Sequence, residues 1–192
     1  MSDVADGPTG TAGRGGRPRR PGVSDTVLAA TVDQVAEQGY ARANLDGIAR
    51  RAGVAKTTVY RRWSSKGVLA VDALVGLLGE PPDVVRAGPE GLRDALRWLA
   101  DRIGQPQVYG LLVGVVTEAG RDLEVRSRLR AGFRDPFVAR LVQEWALPVD
   151  RVDLAFDLVV GALLHRLAMT GSLTPSDSEA VTAVAVGLLF PR

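Results

Sequence analysis

The chain has 192 residues, 46% hydrophobic and 24% charged, with a formal net charge of +2, which suits one large or two small domains sharing a packed core. It has no cysteine, which excludes disulfides, thiol nucleophiles and Cys-ligated zinc or iron–sulfur centres, and its lone histidine, His165, argues against His-built metal sites and a Ser-His-Asp triad. Residues 1–66 hold 11 Lys and Arg against 6 Asp and Glu while the rest hold 13 against 16, so a basic end suited to a polyanion sits on a mildly acidic body.

Residues 1–22 are rich in Gly, Pro and Arg and nearly without large apolar groups; they are predicted to be a disordered basic arm, with Arg14, Arg17, Arg19 and Arg20 spaced to lie along DNA or simply to be solvated. They carry no apolar signal segment, and the longest apolar runs fall short of a bilayer span, so a cytoplasmic protein without membrane attachment is expected. From Val23 the pattern turns helical. Ser24 reads as an N-cap, Leu28, Val32, Val35 and Ala36 as one face, and Gly39 as the stop. Asn44 caps a second helix through about Ala52 with Leu45, Ile48 and Ala49 inward. A third runs from Lys56 to Trp63, and Ser64 or Ser65 caps a fourth that ends at Glu80-Pro81-Pro82.

The second half is predicted as Pro89–Ile103, Val108–Ala119, Glu124–Ala131, Pro136–Trp145, Asp150–Thr170 and Ser176–Leu189, separated by Gly, Pro or Asp, including Gly132. No strand-like alternation occurs. The fold class is all-α, with an N-terminal three-helix unit over 23–69 and a helical ligand-binding and dimerisation domain over 70–192. The last two segments are apolar on most of their circumference, through Leu154, Leu158, Leu163 and Leu167 in one and Val181, Val184 and Leu188 in the other. Such helices are buried on more than one side. A homodimer through these two helices is expected, with Gly161, Ala162 and Gly187 allowing close approach and His165 at the interface; the alternative is that both are central core helices.

Between Leu45 and Trp63 the chain has the layout of a helix-turn-helix. Ala49 is small where two helices must touch, Gly53 tolerates a positive φ at the turn, and Val54 and Val59 can fill the space between. The second helix of such a unit must present polar and basic groups to base edges. Lys56, Thr57, Thr58, Tyr60 and Arg61 meet that need: threonine can bond a base edge or offer its methyl to thymine, while lysine and arginine reach guanine or phosphate. Trp63 reads as a core aromatic, and Arg42, Arg50 and Arg51 as a DNA-side or merely solvated face.

Residues 39–69 (GYARANLDGIARRAGVAKTTVYRRWSSKGVL) resemble the DNA-binding signature of the TetR family of bacterial transcriptional regulators: Ile48-Ala49, Ala52-Gly53-Val54, Tyr60, Trp63, Lys66 and Leu69 match in order and spacing. The resemblance implies that Lys56, Thr57, Thr58, Tyr60 and Arg61 lie in the major groove, that Tyr60 touches the backbone, and that Lys66 and the start of the fourth helix hold a phosphate. Asn44 stands where a capping Thr or Ser is usual and can both cap and touch phosphate. The chain departs from the pattern at Ala43, at Gly47, which weakens the second helix, and at Ala55, which removes a serine N-cap worth about 0.5–2 kcal/mol.

The resemblance also implies a small-molecule pocket in the C-terminal helices, coupled to DNA through the fourth helix. Trp98, Tyr109, Leu112, Val116, Phe133 and Phe137 are the candidate lining, with Trp145 beside them and Glu118 and Arg134 as polar contacts; plain core is the competing reading. The expected effector is apolar or amphipathic. No catalytic set, metal or cofactor is predicted. The function expected is a homodimeric, sequence-specific DNA-binding regulator, a repressor released from a palindromic operator; the rivals are an enzyme with a helical active site and a ligand-independent or sequence-neutral DNA-binding protein.

Overall fold

The computed structural model describes residues 22–80 and 88–191; the predicted basic arm, apart from Gly22, and the Pro81-Pro82 stop lie outside them. The described residues form α1 (Val23–Gln38), α2 (Leu45–Arg51), α3 (Lys56–Tyr60), α4 (Lys66–Leu78), α5 (Pro89–Ile103), α6 (Pro106–Ala119), α7 (Leu123–Leu129), α8 (Asp135–Trp145), α9 (Val149–Thr170) and α10 (Pro175–Leu189). A π-helical turn, Arg130–Arg134, joins α7 to α8. There is no strand among the described residues, and the fold is all-α.

The helix ends follow from local chemistry. Asn44 Oδ1 accepts from the Gly47 amide at 2.8 Å and Ser65 Oγ from the Val68 amide at 3.2 Å, each satisfying a donor left over at a helix start. At α1 the predicted cap, Ser24, lies inside the helix. Helix α1 begins at Val23, and the Asp25 carboxylate reaches back to the Gly22 amide at 2.9 Å. Helix α4 stops at Gly79, whose φ of +68° lets its amide bond Val75 O at 3.1 Å, one residue before the predicted terminator. Helix α3 is three residues shorter than predicted; Arg61 and Arg62 continue it only as a turn.

Helix α1 is rotated from its predicted phase. It packs on α2, α4 and α6 at once, so its buried face is Val27, Ala30, Thr31, Gln34 and Val35, while Ala36 is exposed and Leu28 and Val32 only half-buried. Two polar residues can occupy that face because each finds a partner: the Thr31 hydroxyl donates to Val27 O at 2.8 Å, and Gln34 Oε1 accepts from the Asn44 amide at 3.3 Å. Gly47 makes room for Gln34. A Cβ there would lie 2.2 Å from Gln34 Nε2, so the glycine that costs helix propensity allows a buried glutamine.

One apolar cluster runs from Val27 through Ile48, Leu69 and Leu74 to Leu111, Leu112 and Leu163, uniting the first four helices with α5, α6, α7 and α9. A smaller one, around Leu92, Val138, Val152, Ala155 and Leu189, joins α5, α8, α9 and α10. The break predicted at Gly132 is absent. The chain passes from α7 to α8 without interruption, and Gly132 lies against α4, where a Cβ would come 2.8 Å from Val75 Cγ2. Its missing side chain serves close approach. On α9 the buried stripe is Val152, Ala155, Val159, Leu163 and Leu167. Its opposite side leaves Leu154, Leu158, Gly161, His165 and Met169 exposed, and α10 likewise exposes Ala183, Val184 and Gly187.

Candidate nucleic-acid interface

Helices α2 and α3 form the bihelical unit. Ala49 is fully buried at their contact, and Val59 is fully buried beneath α3. Gly53 has a φ of +67°, and the Val54 amide closes the turn on Ala49 O at 3.0 Å. Trp63 is buried and donates its indole N–H to Asp72 Oδ2 at 2.8 Å.

With Val59 inward, α3 turns Lys56, Thr57 and Tyr60 outward, Arg61 is exposed just beyond, and Thr58 is half-buried. Asn44 is exposed at the start of α2 beside them. A basic, hydroxyl-bearing surface on a short helix is the chemistry needed to meet phosphates and base edges.

Two of these groups share a partner. Lys56 Nζ lies 2.6 Å from Asp46 Oδ2, and the Tyr60 hydroxyl donates to Asp46 Oδ1 at 3.2 Å. The lysine hydrogen bond, helped by the nearby charges, holds the Asp46 carboxyl below its ordinary range. Around the rim, Arg51 pairs with Glu37, Nη1 to Oε1 at 2.8 Å, and Arg62 donates to Ser24 Oγ at 2.7 Å.

Lys66 is apart from this set. The residue is half-buried, and its ammonium donates to Tyr40 O at 2.9 Å and sits 4.3 Å from the centroid of the Tyr40 ring. The same ring lies on Gly114 of α6, and its hydroxyl donates to Glu118. Burial and that carboxylate push the Tyr40 hydroxyl well above the normal phenol range. Glu118, a candidate ligand contact from sequence, thus belongs to the junction between the helix-turn-helix and the C-terminal helices. Asp72 is a second tie there: it accepts Arg128 Nε at 2.6 Å and Nη2 at 2.7 Å beside the Trp63 indole. Tyr40, Asp46, Asp72 and Arg128 carry no signal in the sequence, since their partners lie 9 to 78 residues away or on a face that periodicity does not reveal.

Of the six residues proposed to line a pocket, the structure brings three together. Phe133 and Phe137 meet edge-on with centroids 6.0 Å apart, and Trp98 is 5.7 Å from Phe137. Leu112 is fully buried in the main core, Tyr109 packs against that core, and Val116 is exposed. An apolar cavity of about 40 Å³ lies instead between α5, α8, α9 and α10. Leu92, Leu96, Phe137, Phe156, Val159 and Leu189 are among its walls, with Arg140 as its charged lining residue. Only Phe137 is common to both sets. Arg134 faces Asp153 at 3.0 Å with Asp135 and Asp157 nearby, an ion cluster outside that lining.

An all-helical body carrying an outward basic helix after a glycine turn defines a DNA-binding transcriptional regulator of the helix-turn-helix class. The family model for bacterial regulatory proteins, tetR family, matches residues 27–73. A DNA-binding transcriptional repressor TetR of Mycobacteroides abscessus is 30% identical over 165 residues, covering 78% of this chain and 84% of that one. An HTH-type transcriptional regulator of Mycobacterium tuberculosis is 27% identical across the whole of this chain and 95% of its own length. Among solved structures, that of the multidrug binding protein EbrR in complex with imidazole superposes with a TM-score of 0.65 over 88% of this chain and 96% of the other, at 19% identity, a likeness of fold. This chain belongs to the TetR family. Its relatives are regulators and not enzymes, so the enzyme reading falls on kinship. No helix among the described residues is long and apolar enough to cross a membrane.

Proposed function

We propose that the protein is a homodimeric, cytoplasmic repressor that reads a near-palindromic operator through α3 and is released from it by a small apolar or amphipathic effector. The observation that carries this is the outward face of α3, where Lys56, Thr57, Tyr60 and Arg61 are exposed while Val59 anchors the helix. In this reading Asn44 and Tyr60 touch the backbone, Thr57, Thr58 and Arg61 read bases, and Lys66 reaches phosphate only by leaving Tyr40. The repressor role is supported by the Mycobacteroides abscessus relative, which is named as one. An effector is supported by the multidrug binding protein that shares the fold; the apolar cavity among α5, α8, α9 and α10, at about 40 Å³, would have to widen to admit it. Phe137 is part of the cavity wall, and Trp98 and Phe133 pack against Phe137. The dimer is supported by the uncovered apolar face of α9 and α10, on which Gly161 and Gly187 have open space above them. The division of the chain at residues 69 and 70 is a functional one, because α4 belongs to both parts.

Selection of bound duplexes from a random pool, with mass in solution recorded alongside, tests the reading. A dimer that enriches an inverted repeat is the outcome anticipated. A folded dimer that enriches nothing removes base readout and leaves a sequence-neutral DNA binder. On the selected operator, Arg61→Ala should weaken binding by about 1–3 kcal/mol and relax preference at one position per half-site. Equal loss on every sequence would show Arg61 to be a phosphate contact.

A further inference from the structure

Among the described residues, Asp46 is the one carboxylate bonded to the outward side chains of α3, and its position asks for a reason. A first-turn acid favours a helix start, but the capping role at α2 is already filled by Asn44. Nor does the ion pair hold the fold together, because Lys56 and Asp46 are 63% and 47% exposed and such pairs add little to stability. What distinguishes the carboxylate is its choice of partners. One oxygen takes the ammonium of Lys56 and the other the hydroxyl of Tyr60, one helical turn on. Two anionic oxygens presented to a cation and a hydroxyl are also what a DNA phosphate presents. Arg50 is the other cation whose charge acts on Asp46.

We propose that Asp46 is a resident stand-in for a DNA phosphate, a brake that occupies Lys56 and Tyr60 until the nucleic-acid backbone displaces it. The inference rests on the reading of α3 as the DNA-facing helix. Phosphate attraction is the same for every sequence and supplies the bulk of non-specific binding. A carboxylate that cancels one cation of the docking face subtracts from that shared attraction and leaves base contacts by Thr57 and Arg61 untouched. The protein is thereby held less tightly by the excess of unrelated DNA that competes for it. Asp46 acts through Lys56 and Tyr60 and is a positioning residue.

The test measures binding of the full-length protein to its selected operator and to a duplex of unselected sequence across a potassium chloride series, for wild type, Asp46→Asn, Lys56→Gln and the double variant. Asp46→Asn should tighten both duplexes by about two- to fivefold, the worth of an exposed ion pair, and steepen the dependence of log K on log salt by about one. In the Lys56→Gln background the same change should have little effect, since the cation it releases is gone. Thermal melting of Asp46→Asn should match wild type, which separates the brake from a structural role. Unchanged or weaker binding by Asp46→Asn overturns the proposal. Equal tightening with and without Lys56 also overturns it, by showing plain repulsion between the carboxylate and DNA. A wild-type protein that binds neither duplex at low salt fails earlier, at the assignment of the DNA interface itself.

Discussion

Replacing Gly114 by alanine should lower the stability of the protein by about 2–3 kcal/mol, although alanine is the better helix former. Gly114 lies within α6, where the usual exchange of glycine for alanine gains up to ~1 kcal/mol. Here the added Cβ would stand 2.1 Å from Cγ of Tyr40 and within 2.6 Å of both Cδ atoms of that ring. With three ring atoms inside contact distance, the ring must move off the helix. Its departure breaks the bond to Glu118 and takes the aromatic face from Lys66, adding lost interactions to the steric cost. For a chain of this length the melting temperature should fall by roughly 4–12 °C. Gly110, one turn earlier on α6, is the control: its Cβ would meet only Val35 Cγ1 at 3.8 Å, and alanine there should be neutral or stabilising. Denaturant melts of both variants decide it. If Gly114→Ala costs no more than Gly110→Ala, Tyr40 is not held tightly between α6 and the helix-turn-helix.

The second large effect is expected on the exposed face of α9. Leu158→Asp should turn the proposed dimer into a monomer and reduce operator affinity by at least about a hundredfold, because two linked half-site contacts become one. Leu158 is 47% exposed in the single chain, so the substitution spares the core and far-UV dichroism should be unchanged. In the proposed dimer each new carboxylate would be buried in an apolar seam, at a cost such an interface does not sustain. Light scattering gives the mass and anisotropy the affinity. A Leu158→Asp protein that remains dimeric places the interface elsewhere than on α9 and α10.

The parts of the fold that were legible in the sequence are those whose causes are local. Asn44 and Ser65 cap from within three residues, Gly53 turns on its own φ, and the span Pro89–Ile103 is bounded by a proline at its start and a glycine after its end. The family signature is legible for the same reason, since it is written in one stretch of chain. What the sequence hid depends on neighbours brought from far away. Gly47 reads as a weak point and Gly132 as a break, whereas each, like Gly114 inside α6, yields its side-chain space to another residue: Gln34 at Gly47, Tyr40 at Gly114 and Val75 at Gly132. Lys66 reads as a free phosphate-binding cation, but the Tyr40 carbonyl, 26 residues earlier, has it. The pocket candidates share aromatic and aliphatic character on α5, α6 and the stretch that follows. Helix α6 turns Leu112 into the main core against α1 and α4, and the cavity opens on the far side of α5.

The π-helical turn at Arg130–Arg134 bears on how α7 and α8 are related. Adding one residue to a helical turn offsets everything after it by about 100° and 1.5 Å from regular winding. On one side of that offset Val125 and Arg128 face the helix-turn-helix junction; on the other Phe137, Arg140 and Leu141 face the cavity. The two sets share a single rod, and its local pitch decides which side chains the cavity sees. Rewinding the turn to ordinary α geometry with α7 held by Asp72 would swing Phe137 out of the cavity wall, so the cavity's shape depends on that one extra residue in the turn.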